Sequence, residues 1–122
     1  MAIYYREKGF NVALTTRGGD KGVDIVAFSD TVNYAIQCKH SKNNVGREGV
    51  NEIIGGVRYY ELKHNCKFKP VIFTNSFYTL QAEETALLNS VETIDRGILP
   101  NFIESTKLSL ADIYAMEESR EI

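Results

Sequence analysis

The sequence predicts an α/β fold: a mixed β-sheet with helices on both faces. Three observations predict it. Short apolar runs come first at hairpin spacing and then alternate with helix-length segments, which mixes antiparallel and parallel pairing. The segment Arg47 to Leu62 repeats Val50, Ile53, Ile54 and Val57 at spacings of three and four, one apolar stripe. At 122 residues the chain can bury one core but not two, so every element must share it. We expect one domain over 1–122, with a core of about 3–99 and a helical extension over 100–122.

Taken in order, Ala2 to Lys8 reads as the last turns of a helix, stopped by Gly9. Phe10 to Leu14, Gly22 to Phe28 and Asn33 to Lys39 read as three strands, with Asp30-Thr31-Val32-Asn33 as the hairpin turn between the last two. The helix from Arg47 to Leu62 contains Gly55 and Gly56, which cost about 1 kcal/mol each against alanine. Close packing of this helix on the sheet would explain both. Lys69 to Thr74 is a further strand. Thr79 is placed to cap a helix reaching Asn89 that buries Leu80, Ala86 and Leu87. Val91 to Ile94 closes the sheet, and Leu110 to Ile122 reads as a fraying helix.

The chemistry concentrates between residues 18 and 39. Asp24 is an ionisable residue in an otherwise apolar strand, costly to bury unless it is paired or binds a cation. In the next strand, alternation puts Gln37 and Lys39 on one face, with Ile36 and Cys38 on the core-facing side. Asp24, Gln37 and Lys39 can thus meet at the sheet edge, a carboxylate and an amide oxygen beside an ammonium. That set suits a divalent metal and phosphodiester cleavage. In isolation the same spacing also arises by chance, with Asp24 a strand cap and Lys39 its salt-bridge partner.

Net charge is −2, which does not by itself advertise a nucleic-acid partner. Its distribution does more: residues 1–69 hold 11 Lys/Arg against 7 Asp/Glu, while residues 70–122 hold 3 against 9. Lys21 precedes Asp24, and His40, Lys42 and Arg47 follow Lys39, a basic stripe suited to phosphates. Solvated loop charges are the plainer account of any one of them. No stretch approaches a membrane span and the start lacks the apolar core of a signal peptide, so a cytoplasmic protein is expected. Cys38 and Cys66 fit no zinc spacing and are expected to be free thiols.

The longer string decides between the readings. Gly18-Gly19-Asp20-Lys21-Gly22-Val23-Asp24-Ile25-Val26-Ala27, then Gln37-Cys38-Lys39-His40, then Val45 to Gly56, resembles the Mrr-type restriction endonuclease domain. That domain is a branch of the PD-(D/E)xK nuclease superfamily in which glutamine replaces the last acid. Val71 to Phe77, Ala82 and Val91 to Asp95 are similar to its later blocks, so the resemblance covers about residues 3 to 99. It implies the restriction-endonuclease-like fold and a metal-dependent endodeoxyribonuclease acting on double-stranded DNA with Mg²⁺, or Mn²⁺ in its place. Asp24 and Gln37 would be metal ligands together with the backbone carbonyl of Cys38. Lys39 would position the water or stabilise the phosphorane. With Gln37 in place of an acid, one-metal catalysis is favoured over a two-metal clamp.

One departure stands out. The family's first-helix glutamate would fall before Met1, so either the chain begins within that helix or the ligand is missing. Asp20 and Glu52 are the accessory acids that can stand in. A single centre cuts one strand, so double-strand cleavage implies a homodimer or two successive nicks. A junction or repair nuclease, an RNA nuclease, and an inactive DNA- or protein-binding module with the same fold are the alternatives.

Overall fold

The computed structural model describes residues 1–15 and 22–100. The expected extension over 100–122, its helix from Leu110 included, therefore lies almost wholly outside the described residues. Five strands form one sheet in the order β1-β2-β3-β4-β5. They are β1 (Asn11–Leu14), β2 (Ile25–Phe28), β3 (Tyr34–Lys39), β4 (Lys69–Thr74) and β5 (Glu92–Ile94), joined by α1 (Ala2–Glu7), α2 (Arg47–His64) and α3 (Leu80–Leu88). β1, β2 and β3 pair antiparallel, and β4 and β5 add parallel. Parallel neighbours need crossovers, which α2 and α3 supply.

Both sheet faces are covered, as the alternating pattern predicts. On one face Val26, Ala35 and Ile72 meet Val50, Ile53, Val57 and Tyr60 of α2 and Ala82 and Ala86 of α3. On the other, Ile25, Ala27, Ile36, Val71 and Phe73 meet Tyr5 of α1, Met1 and Leu99. Tyr5 packs edge-on against Tyr4, Phe10 and Phe73. Burial, then the Glu92 carboxylate and Tyr34, hold its phenol well above the ordinary tyrosine range, so it stays neutral.

α1 ends where expected, with Gly9 at φ +92 turning the chain into β1. Thr79 caps α3, its hydroxyl accepting from Ala82 N–H at 3.1 Å. Thr79→Ala should cost about 1 kcal/mol by urea denaturation, whereas loss below about 0.3 kcal/mol would mean α3 is held by packing alone.

Three expectations need correction. Leu80 and Leu87 are 72% and 82% exposed, not buried. The side of α3 turned inward is Ala82 and Ala86, because its contact with α2 leaves room only for small side chains. Gly56 is buried as close packing requires, but Gly55 faces outward, with nothing within 4 Å of where a Cβ would stand. At Gly49 an added Cβ would sit 2.8 Å from Val45 Cγ1, in the segment leading into α2 rather than in the sheet. Finally, the second strand starts at Ile25 rather than Gly22, so Val23 turns to the α2 face with Val26.

Candidate active site

The β2–β3 register pairs Ile25 with Ile36 and Val26 with Ala35. One step further along the same register, Asp24 lies opposite Gln37. Two hydrogen bonds fix it there. Asp24 N–H donates to the Ile36 carbonyl at 2.8 Å, and Cys38 N–H donates to Asp24 Oδ2 at 2.8 Å. Opposed residues of an antiparallel pair project to one face with Cβ atoms about 5 Å apart. Here that face is the one covered by α2.

Gln37 is accordingly buried along with Ile36, and Cys38 is only half-buried on the opposite face. Both faces of β3 are interior, which the expectation of a polar pair left open at the cleft did not include. Gln37 is 7% exposed, and its Oε1 has no hydrogen-bond donor among the described residues. Leaving an acceptor buried and unmet costs about 1–3 kcal/mol, so such an atom calls for an explanation. A hard, oxygen-seeking cation beside the Asp24 carboxylate would supply one. The donor set present fits a divalent ion.

Lys39 closes β3 in register with Thr74. Its stem passes Gly49, where an added Cβ would lie 3.7 Å from Lys39 Cε. Its ammonium ends on Glu52 Oε2 at 3.0 Å. Glu52 is half-exposed on α2, one of the two accessory acids expected, and the fold brings it to the lysine. The other, Asp20, lies outside the described residues, as does Lys21 of the basic stripe. His40, Lys42 and Arg47 are exposed around this end of the sheet. Among the described residues no three His, Cys, Asp or Glu side chains group as a metal-holding set.

Two threonines build the site. Thr15 N–H donates to the Asp24 carbonyl at 2.9 Å, and its hydroxyl reaches Val23 O at 2.6 Å and Asp24 O at 3.0 Å. Thr74, fully buried, donates from Oγ1 to the Lys39 carbonyl at 2.9 Å and accepts from Ser76 N–H at 3.2 Å. One holds the strand entry that carries the acid, the other the strand exit that carries the lysine. Gly22, at φ +81, lets the chain enter beside α2; a Cβ there would stand 2.6 Å from Glu52 O.

The two cysteines are free, as expected. Tyr60 packs into the core while Tyr59 stays 44% exposed. His64, in the last turn of α2, lies against Phe28, Tyr60 and Phe68. Among the described residues no helix is long and apolar enough to cross a membrane.

Known proteins can now be set beside this geometry. No curated protein matches the chain. Solved structures share its fold, among them the following three. The first, titled a protein of unknown function, AF1548, has TM-score 0.70 at 20% identity, over 92% of this chain and 66% of that one. The DNA modification-dependent restriction endonuclease AspBHI has TM-score 0.62 at 17% identity, over 89% of this chain and 30% of its own. MspJI restriction endonuclease, solved in complex with a 27-mer oligonucleotide, has TM-score 0.60 at 21% identity, over 97% of this chain and 29% of its own. The chain therefore spans less than two thirds of each of these proteins. The family model Mrr_cat, described as restriction endonuclease, matches residues 1–103. With the five-stranded mixed sheet and its flanking helices, that match means the chain belongs to the Mrr_cat restriction endonuclease family.

Proposed function

We propose that this chain is a metal-dependent endodeoxyribonuclease that hydrolyses phosphodiester bonds of double-stranded DNA, with Mg²⁺ as cofactor and Mn²⁺ able to replace it. The observation that carries the reading is the orphaned Gln37 Oε1 on the strand directly opposite Asp24, with Lys39 two residues on. The family and the oligonucleotide bound to MspJI agree with it.

When bound, the cation would offset the charge gathering on the scissile phosphate and acidify its water. Asp24 and Gln37 would hold it, with the Cys38 carbonyl as a main-chain ligand. The Cys38 N–H keeps the Asp24 carboxylate aimed and prevents it from turning away. Lys39 would supply a positive charge, oriented by Glu52 so that it meets the attacking water or the phosphate oxygens. Gly49 leaves the lysine stem its path. Lys42, His40 and Arg47 would grip flanking phosphates. One such centre cuts one strand, so a double-strand break would need a homodimer or two nicks.

The test is supercoiled plasmid incubated with protein and Mg²⁺ or Mn²⁺. We expect nicking by wild type and none by Asp24→Ala or Lys39→Ala. Retardation of DNA without nicking by wild type would replace the enzyme with a binding module. Cleavage surviving in both variants would move the chemistry elsewhere.

A further inference from the structure

At the end of the sheet that bears Lys39, the loop after β3 and the loop after β4 are stitched together. Val45 N–H donates to Phe77 O at 2.8 Å and Thr79 N–H to Val45 O at 3.0 Å. Ser41 N–H donates to Asn75 Oδ1 at 2.8 Å. Within the first loop the Ser41 hydroxyl donates to Asn43 O at 2.7 Å and accepts from Asn43 N–H at 3.2 Å. The polar groups of the loop are largely satisfied inside it, so its shape is built before any ligand arrives.

Asn75 is where this has a chemical result. A main-chain N–H can only donate, so the bond from Ser41 settles which end of the amide faces the loop: Oδ1 turns in. Nδ2 turns the other way, with no acceptor among the described residues, on a half-exposed side chain one residue beyond Thr74. The two loops and the residues flanking them carry Lys39, Lys42 and Arg47, with two acids beside them: Glu48, whose Oε2 lies against Gly46, and Glu52, which pairs with Lys39. A preset N–H donor near Lys39, Lys42 and Arg47 suits a ligand that only accepts, and phosphate oxygens are such a ligand.

We propose that Asn75 Nδ2 binds a non-bridging phosphate oxygen of the DNA backbone flanking the scissile bond, fixing the register in which the strand meets Asp24 and Lys39. This rests on the nuclease reading above, and it assigns the loop after β4 a role in holding substrate. Asn75→Asp keeps the acceptor for Ser41 N–H and the shape of the side chain, and puts a negative charge in place of the donor. Asn75→Ala removes the donor without adding charge. Asn11→Asp, exposed on β1 at the opposite end of the sheet, makes the same charge change where no DNA is expected.

Affinity is read by fluorescence anisotropy of a labelled duplex in EDTA, so that no turnover is required, with thermal melting in parallel. We expect both Asn75 variants to bind at least about tenfold more weakly, Asn75→Asp to melt with wild type, and Asn11→Asp to bind normally. Wild-type affinity in both Asn75 variants overturns the proposal. Equal weakening by Asn11→Asp overturns it too, since charge alone would then explain the loss. A fall in nicking rate at saturating DNA with unchanged affinity also overturns it, making Asn75 a prop for the loop. If wild type itself neither binds nor nicks DNA, the nuclease reading fails and takes this proposal with it; if it nicks but Asn75→Asp binds as tightly, this proposal fails alone.

Discussion

Asp24→Asn should abolish metal-dependent nicking, by about a thousandfold or more, while leaving the protein as stable as before in the absence of metal. The substitution preserves size and leaves a carbonyl oxygen to accept from Cys38 N–H, so β2 and β3 stay in register. It removes the charge that would hold a cation. It also puts a neutral amide of the same size where the carboxylate is only 8% exposed. Melting with and without metal separates these effects. Wild type should gain stability with Mg²⁺ or Mn²⁺ as mass action requires, and the variant should gain none. Equal metal-induced shifts in both proteins would place the ion away from Asp24.

The second large effect is on folding. Gly22→Ala should destabilise the protein by about 3 kcal/mol, the sum of a left-handed backbone and a forced overlap. Its φ is +81, and the new Cβ would stand 2.6 Å from Glu52 O and 2.8 Å from Glu52 C, both main-chain atoms of α2 that cannot rotate aside. Either α2 lifts from the sheet or the segment leading into Asp24 swings out. Activity should therefore fall further than stability alone explains. Gly55→Ala is the matched comparison: the same helix, open space around the new methyl, and an expected gain of about 1 kcal/mol. Urea midpoints for the pair should move in opposite directions. A harmless Gly22→Ala would mean that α2 yields at Glu52 without cost.

How much of this was readable from residues follows from what each contact depends on. Asp24, Gln37 and Lys39 were legible because strand alternation and a short hairpin are local rules, and the register carried them to the same face. The hydrogen bonds made by Thr15 and Thr74 were not. Their partners lie 9 and 35 residues away, and a threonine with a distant carbonyl to meet looks like any other. The burial of Gln37 was missed for a related reason, since alternation says which face a residue takes but not what covers that face. Leu80 and Leu87 misled because hydropathy favours the largest apolar side chains, whereas a helix pressed against its neighbour selects the smallest. The fold followed from pattern and the site from pattern plus pairing. What remained hidden was the set of hydrogen bonds that lock strand ends in place.

The hairpin between β2 and β3 lies at the end of the sheet remote from Lys39. β3 is six residues long, which separates the two ends by about 20 Å. Asp30 and Thr31 at its tip are solvent-exposed. A peptide label or fluorophore spliced in at this tip would sit far from any strand being cut, since surface turns tolerate added length. The architecture thus sets a handle at one end of the sheet and the Asp24–Lys39 cluster at the other, and the protein can be tethered by the first without crowding the second.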